Sequence, residues 1–333
     1  MPGRNGSVRA ETGAPRRRSV RSPGRRGVGE IQRARILRAM AELSREDGAA
    51  SVTVAHVVAR SGVSRRTFYE LFDNLEECFL DAFDEAVAKA SVTVVKEYAR
   101  PGSWRERIRH GLAALLEFLE DEPELGALMI VGALGAGPPA LQRRAQVLET
   151  LIDTIDRGKN ESARGKGDRA PKRLTAEGVV GAVFAVLHAR LLERPGAQPL
   201  MGLLNSLMAM IVLPYLGPAA ARKELERPAP ETTRNRSPRP HGDPLKGLDM
   251  RLTYRTVRVL LAIGEDPGAS NRQVAKRSDI GDQGQMSKLL TRLQNLGLIG
   301  NTGAGATRGE PNAWTLTDKG QEVRQAIQTQ TGR

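Results

Sequence analysis

Arg65, Arg66, Thr67 and Tyr69 follow directly on the turn Ser61-Gly62-Val63 and the capping residue Ser64. Among them stand the apolar anchors Phe68, Leu71 and Phe72. A helix with donors crowded at its start suits entry into the major groove of DNA, N-terminal end first. There Arg65 or Arg66 would pair with guanine O6 and N7, and Thr67 and Tyr69 would reach phosphates or a thymine methyl. Thr53, the cap expected for the short helix before the turn, belongs to the same surface. The competing explanation is an amphipathic helical hairpin with a charged outer face.

A second set of polar groups lies near the C-terminus. Gln283, Gln285, Ser287, Lys288 and Arg292 fall off the apolar stripe Met286, Leu289, Leu290, Leu293 and Leu296 of a helix opened by Asp282. Gln283 or Gln285 suits adenine, whereas Lys288 and Arg292 suit phosphates. Arg308 stands at the tip of the glycine-rich segment that follows.

Other chemistries find no support. The sequence holds no Walker A loop, no GxSxG and no HExxH. The stretch TGAGATRG at 302–309 spaces its glycines wrongly for a dinucleotide fingerprint and leads into a strand candidate. His110 and His188 lack a ligand partner at i+3 or i+4, so no metal site is expected. Cys78, the single cysteine, lies in an apolar helical stripe and reads as an inert thiol in a reducing compartment. No catalytic residue and no cofactor is expected.

The elements that position these residues are helical. Ile36, Leu37, Met40 and Leu43 recur at helical spacing; Thr53 and Ser64 open two short helices; a longer helix runs from about Leu75 toward Tyr98. Further helices are predicted over 104–120, 125–134, 139–156, 174–193 and 200–216, separated by Pro and Gly. After residue 250 the order becomes helix, short helix, turn, longer helix, strands at 298–302 and 313–317, and a helix opened by Asp318. The apolar stretch at 200–217 is long enough for a membrane span, but Asn205, Ser206 and Pro214 favour a buried bundle helix, and no membrane partner is expected.

The chain has 333 residues and a net charge of +13, which suits two or three domains and invites a polyanion partner. Three segments, 1–29, 157–173 and 217–247, together carry more positive charge than the whole chain, so the remainder is near neutral. Basicity here belongs to tails and linkers and does not mark a binding face. The Arg-rich start is not followed by an apolar run, so no secretory signal is expected.

The pattern formed by Thr53, Val54, Gly62, Val63, Ser64, Thr67, Tyr69 and Phe72 resembles the N-terminal DNA-binding domain of TetR-family transcriptional regulators over about residues 30–85. Two positions depart from it. Val58 stands where the family has alanine, and Leu75 where it often has a phosphate-binding lysine, so that contact is not carried over. The resemblance implies a helical domain behind the head that dimerises and often holds an effector. The helices at 174–193 and 200–216, with Gly178, Gly181, Ala182, Ala185, Ala189, Leu203, Leu207 and Met210, would build the dimer interface. A pocket for a small apolar effector is placed near Trp104, His110, Phe118, Met129, Phe184 and His188, although ordinary core packing competes at each.

The stretches DQGQMSKLLTRLQNLGLI and NAWTLTDKG resemble MarR-like winged-helix domains over about residues 250–328. Such a domain would serve as a second DNA reader or as a protein-interaction module. The expected fold is mainly α. It comprises a basic disordered tail (1–29), a TetR-like helix–turn–helix domain (30–98), a helical dimerisation and effector domain (99–216), a Pro-rich linker (217–247) and a winged helix–turn–helix domain with a small β-hairpin (248–333). The expected function is that of a cytoplasmic, nucleoid-associated, homodimeric regulator, a repressor by family habit, whose partner is double-stranded DNA. The alternative is an architectural protein that binds DNA broadly through its basic tails.

Overall fold

The computed structural model describes residues 23–158, 172–193, 199–228, 254–303 and 312–330. Helix α1 spans Pro23–Glu46, so residues 23–29, expected in the disordered tail, belong to a helix. Helices α2 (Val54–Ser61) and α3 (Arg65–Leu71) follow. Gly62 joins them at φ 63°, a left-handed conformation that a side chain resists. Helix α4 (Leu75–Tyr98) then runs out of this head. Ile36, Met40, Val57, Val63, Phe68, Phe72, Phe79 and Phe83 are buried in its core. Arg60 in α2 donates to Glu46 at 2.5 and 2.9 Å and to Glu42 at 3.3 Å, clamping α2 onto α1.

The middle of the chain holds α5 (Trp104–Asp121) and α6 (Pro123–Ala127), the latter continued by a π turn at Leu128–Gly132 and a last turn at Ala133–Gly135. Next come α7 (Pro138–Asp156), α8 (Arg173–Leu192) and α9 (Leu204–Leu216). Ser103 and Glu106 form a reciprocal capping box at the start of α5. The basic segment at 157–173 lies mostly outside the described residues.

Residue 217 does not begin the linker. Pro218 at the first helical position opens α10 (Pro218–Leu225), which packs on α9 and buries Ala221 and Glu224. Glu224 is fully buried, with Arg109 Nη1 at 2.6 Å, Arg105 Nε at 3.3 Å and Arg227 Nε at 3.6 Å from its carboxylate. Arg109 also donates to Asn205 Oδ1 at 2.6 Å, and Asn205 Nδ2 donates to the Arg227 carbonyl at 2.9 Å. This network ties α5, α9 and α10 together. Asn205 is thus a strut in a packed bundle, consistent with the buried helix expected at 200–216.

Helix α8 is long and apolar enough to cross a membrane by length and composition. One face buries Ala176, Val179, Val180, Val183, Phe184 and Leu187. The other exposes Leu174, Gly178, Gly181, Ala185, Ala189 and Leu192 at helical spacing. Leu207, expected at the dimer face, is buried in the chain's own core, whereas Leu203 and Met210 are half-buried and Leu213 is exposed.

The C-terminal unit consists of α11 (Tyr254–Glu265), α12 (Asn271–Ser278), α13 (Gln283–Asn295), an antiparallel pair β1 (Ile299–Asn301) and β2 (Trp314–Leu316), and α14 (Asp318–Gln330). A bridge between Ala269 and Trp314 extends the hairpin toward α12. Asn271 Oδ1 accepts from Trp314 Nε1 at 2.5 Å and from Asn312 Nδ2 at 3.2 Å, which fixes the hairpin to α12. At Gly320 an added Cβ would lie 2.0 Å from the Leu298 carbonyl oxygen, so only glycine lets α14 approach β1.

This unit has its own core, containing Val257, Leu260, Val274, Met286, Leu290, Leu293, Trp314 and Ile327. Ile31, from the start of α1, is fully buried in that second core, and α1 packs against α11 and α14. The separation expected from the linker alone is therefore bridged by α1, whose later residues Ile36, Leu37 and Met40 belong to the first core.

Candidate nucleic-acid interface and effector cavity

Both short helices of the head are capped by hydroxyls. Thr53 Oγ1 accepts from the His56 amide at 3.2 Å, and Ser64 Oγ accepts from the Thr67 amide at 3.0 Å. The Ser64 and Thr67 hydroxyls lie 2.8 Å apart and share a hydrogen bond. Phe68 is fully buried, and its ring meets Tyr69 edge-on at 5.4 Å and Phe72 at 5.5 Å. These contacts leave Arg65, Arg66 and Tyr69 pointing outward together. The Arg65 guanidinium lies 5.9 Å from the Tyr69 ring centre, and the Arg66 side chain is 89% exposed, with Nε 3.0 Å from Glu70. Of the six predicted contact residues here, three form an exposed donor surface. The other three, Thr53, Ser64 and Thr67, hold the two helix starts.

Asp282 caps α13, accepting from the Gln285 amide at 3.0 Å. Gln283, Gln285, Ser287, Lys288 and Arg292 are all exposed on this helix. The Gln285 side-chain oxygen accepts from Arg255 at 2.5 Å, so any partner at Gln285 competes with Arg255. Arg308 lies outside the described residues.

Behind the head, α4, α5, α7, α8 and α9 line a cavity of ≈ 280 Å³ that opens to solvent past the exposed Ser91, Val95 and Thr150. Its walls are overwhelmingly apolar, with Val87, Leu112, Leu151, Val183, Phe184 and Ile211 among them. Of the predicted effector residues only Phe184 lines it. Trp104 is instead a buried strut, its ring 5.1 Å from that of Tyr215 and its Nε1 donating to the Thr154 carbonyl at 3.3 Å. His110 and Phe118 sit on α5 off the lining stripe Ile108, Gly111, Leu112 and Leu115; Met129 lies in the π turn; His188 lies one turn beyond Phe184. The sequence expectation rests on aromatic and imidazole groups, whereas valine and leucine build most of the wall. The one available signal was the set of small and β-branched residues repeating on α4 and α8.

Cys78 is buried in α4, and desolvation, reinforced by Asp81, pushes its thiol up to about 12 from the ordinary 9.0. Near neutral pH it holds no thiolate, so the folded protein is expected to leave iodoacetamide unreacted, with full labelling in denaturant. Because folding favours the protonated thiol, this contribution is complete below the unfolded value and fades as pH rises toward about 12. Among the described residues no His, Cys, Asp and Glu cluster suits a metal ion.

Residues 36–82 match the family of bacterial regulatory proteins, tetR family. That tetR-family match contains both capped helices and the exposed Arg65, Arg66 and Tyr69, and ends within α4. No curated protein matches the chain. Solved structures similar to it include the fatty acid degradation regulator FadR from Bacillus halodurans, at 15% identity over 54% of this chain and 97% of that one, TM-score 0.47. FadR from Bacillus subtilis, solved in complex with stearoyl-CoA, gives 17% identity over 56% and 98%, TM-score 0.47. A TetR family transcription regulator from Marinobacter aquaeolei VT8 gives 18% over 57% and 96%, TM-score 0.43.

Proposed function

We propose that this chain is a TetR-type transcriptional regulator that reads DNA with α3 and acts as a homodimer. The observation that carries this is the capped corner of α2 and α3, which exposes Arg65, Arg66 and Tyr69 within the stretch matching the tetR family. Dimerisation through α8 and α9 is supported by the exposed stripe of Leu174, Gly178, Gly181, Ala185 and Leu213, whose small residues permit close helix contact. The cavity receives a small effector with a largely apolar body. Helix α4 supplies both Cys78 and Phe79 to the head core and Val87 to Tyr98 to the cavity wall, so filling the cavity acts on the head through one rigid element. The protein works in the cytoplasm at the nucleoid, and effector binding relieves repression.

The order of α11, α12, α13, the β1–β2 hairpin and α14 supports reading the C-terminal unit as a winged helix that adds DNA contacts through Lys288 and neighbours. Lys288→Ala should then weaken binding equally across sequences and lower the slope of log affinity against log salt by about one. An unchanged slope favours a protein-interaction role for this unit.

Arg66→Ala tests the first head. Its ion pair with Glu70 is exposed, so stability should hardly change. Operator affinity should fall by about 1–3 kcal/mol if Arg66 reads a base. A loss equal on unrelated DNA would make Arg66 a phosphate contact.

A further inference from the structure

We propose that the cavity takes an amphiphile with an anionic headgroup, held by Arg144 at one end while an apolar body fills the space between α4, α5, α7 and α8; this rests on the cavity being the effector site. Arg144 lies one turn before Val147 on the face of α7 that continues through Val147, Leu151 and Thr154 into the cavity wall. Its guanidinium is stacked 5.7 Å from the ring of Phe184, itself a wall residue. Its Nε is buried and has no hydrogen-bond partner among the described residues. An arginine stays charged in a protein, and a desolvated donor on it that finds no acceptor is costly. The neighbouring Arg143, not Arg144, takes the nearby acid on α4, with Nη2 at 3.5 Å from Asp84. Burial lowers the Arg144 pKa, and among the described residues no carboxylate opposes it.

The hydroxyl residues of the cavity wall are Ser91, Tyr98, Thr150 and Thr154. Thr150 and Thr154 spend their hydroxyl protons on the carbonyls of Gln146 and Thr150, at 3.2 and 2.8 Å. A carboxylate or phosphate at Arg144 would supply the missing acceptor through charge-assisted hydrogen bonds. The apolar walls would bury part of the ligand's hydrocarbon body. A neutral apolar molecule would leave the cation unpartnered, and a cationic one would be repelled.

Calorimetric titration of the full-length protein with decanoate, 1-decanol and decyltrimethylammonium tests this. Decanoate should bind most tightly, and Arg144→Gln should weaken it by about tenfold or more while leaving 1-decanol unchanged. Equal affinity for decanoate and 1-decanol in the wild type would overturn the anion assignment, as would equal weakening of both by Arg144→Gln. Val183→Trp and, from a different helix, Ser91→Trp fill the cavity, and each is checked for folding by its melting transition. Loss of all binding in a folded filler variant is expected. Decanoate binding that survives both, or no binding to the wild type, would overturn the cavity reading and the anion assignment together.

Discussion

Replacing Glu224 by alanine is expected to destabilise the protein by about 3–5 kcal/mol, the cost of leaving a buried charge without its partner. Glu224 is fully buried beneath Arg105, Arg109 and Arg227, and the Arg109 side chain is only 13% exposed. Burial lowers the Arg109 pKa, and the Glu224 charge is the main opposing influence. Alanine would leave three guanidinium groups facing one another with their common acceptor gone. It would also loosen α10 from α5, because Arg109 reaches both Glu224 and Asn205. Chemical denaturation of the full chain checks this, with Glu224→Gln as the partner experiment. Glutamine keeps an acceptor for Arg109 but not the charge, so its loss should be smaller. A change below about 1 kcal/mol for alanine, as for an exposed ion pair, would show that the cluster is open to solvent.

Phe68→Ala is expected to cost about 3–5 kcal/mol and to abolish DNA binding with it. Phe68 is the fully buried side chain of the seven-residue α3, and it seats that helix against α1 and α2 through Val57, Val63 and Phe72. A helix this short is not stable by itself, so its orientation depends on that anchor. The contrast with Arg66→Ala is informative. One variant should lose stability and binding together, and the other only binding. Local unfolding of the head, followed by amide exchange in α2 and α3, should report the Phe68 effect even if the bundle behind it melts separately.

The head was legible in the sequence because its signals are local. Thr53 and Ser64 each cap three residues ahead, Gly62 marks the turn, and the apolar period covers the helices. The same holds for Asp282, which caps α13. Contacts distant in sequence were not legible. Glu224 sits in a Pro-rich and charged stretch, and nothing local shows that Arg109, 115 residues away, faces it. The cavity shows the same limit from the other side. Trp104 and Phe184 look equally suited to a ligand, yet only Phe184 lines the space, because α5 turns Trp104 toward Tyr215. Ile31 continues the helical run of α1 but enters the second core, a choice made by tertiary packing alone.

Selection of binding sites from random-sequence DNA, run in parallel with the full-length protein and with its Arg65→Ala/Arg66→Ala variant, tests the DNA-reading role of α3 most directly. The wild type should enrich a small set of inverted repeats, and the variant should lose that enrichment while retaining its fold. Enrichment of the same repeats by both proteins, or recovery of DNA without sequence preference by the wild type, would contradict it.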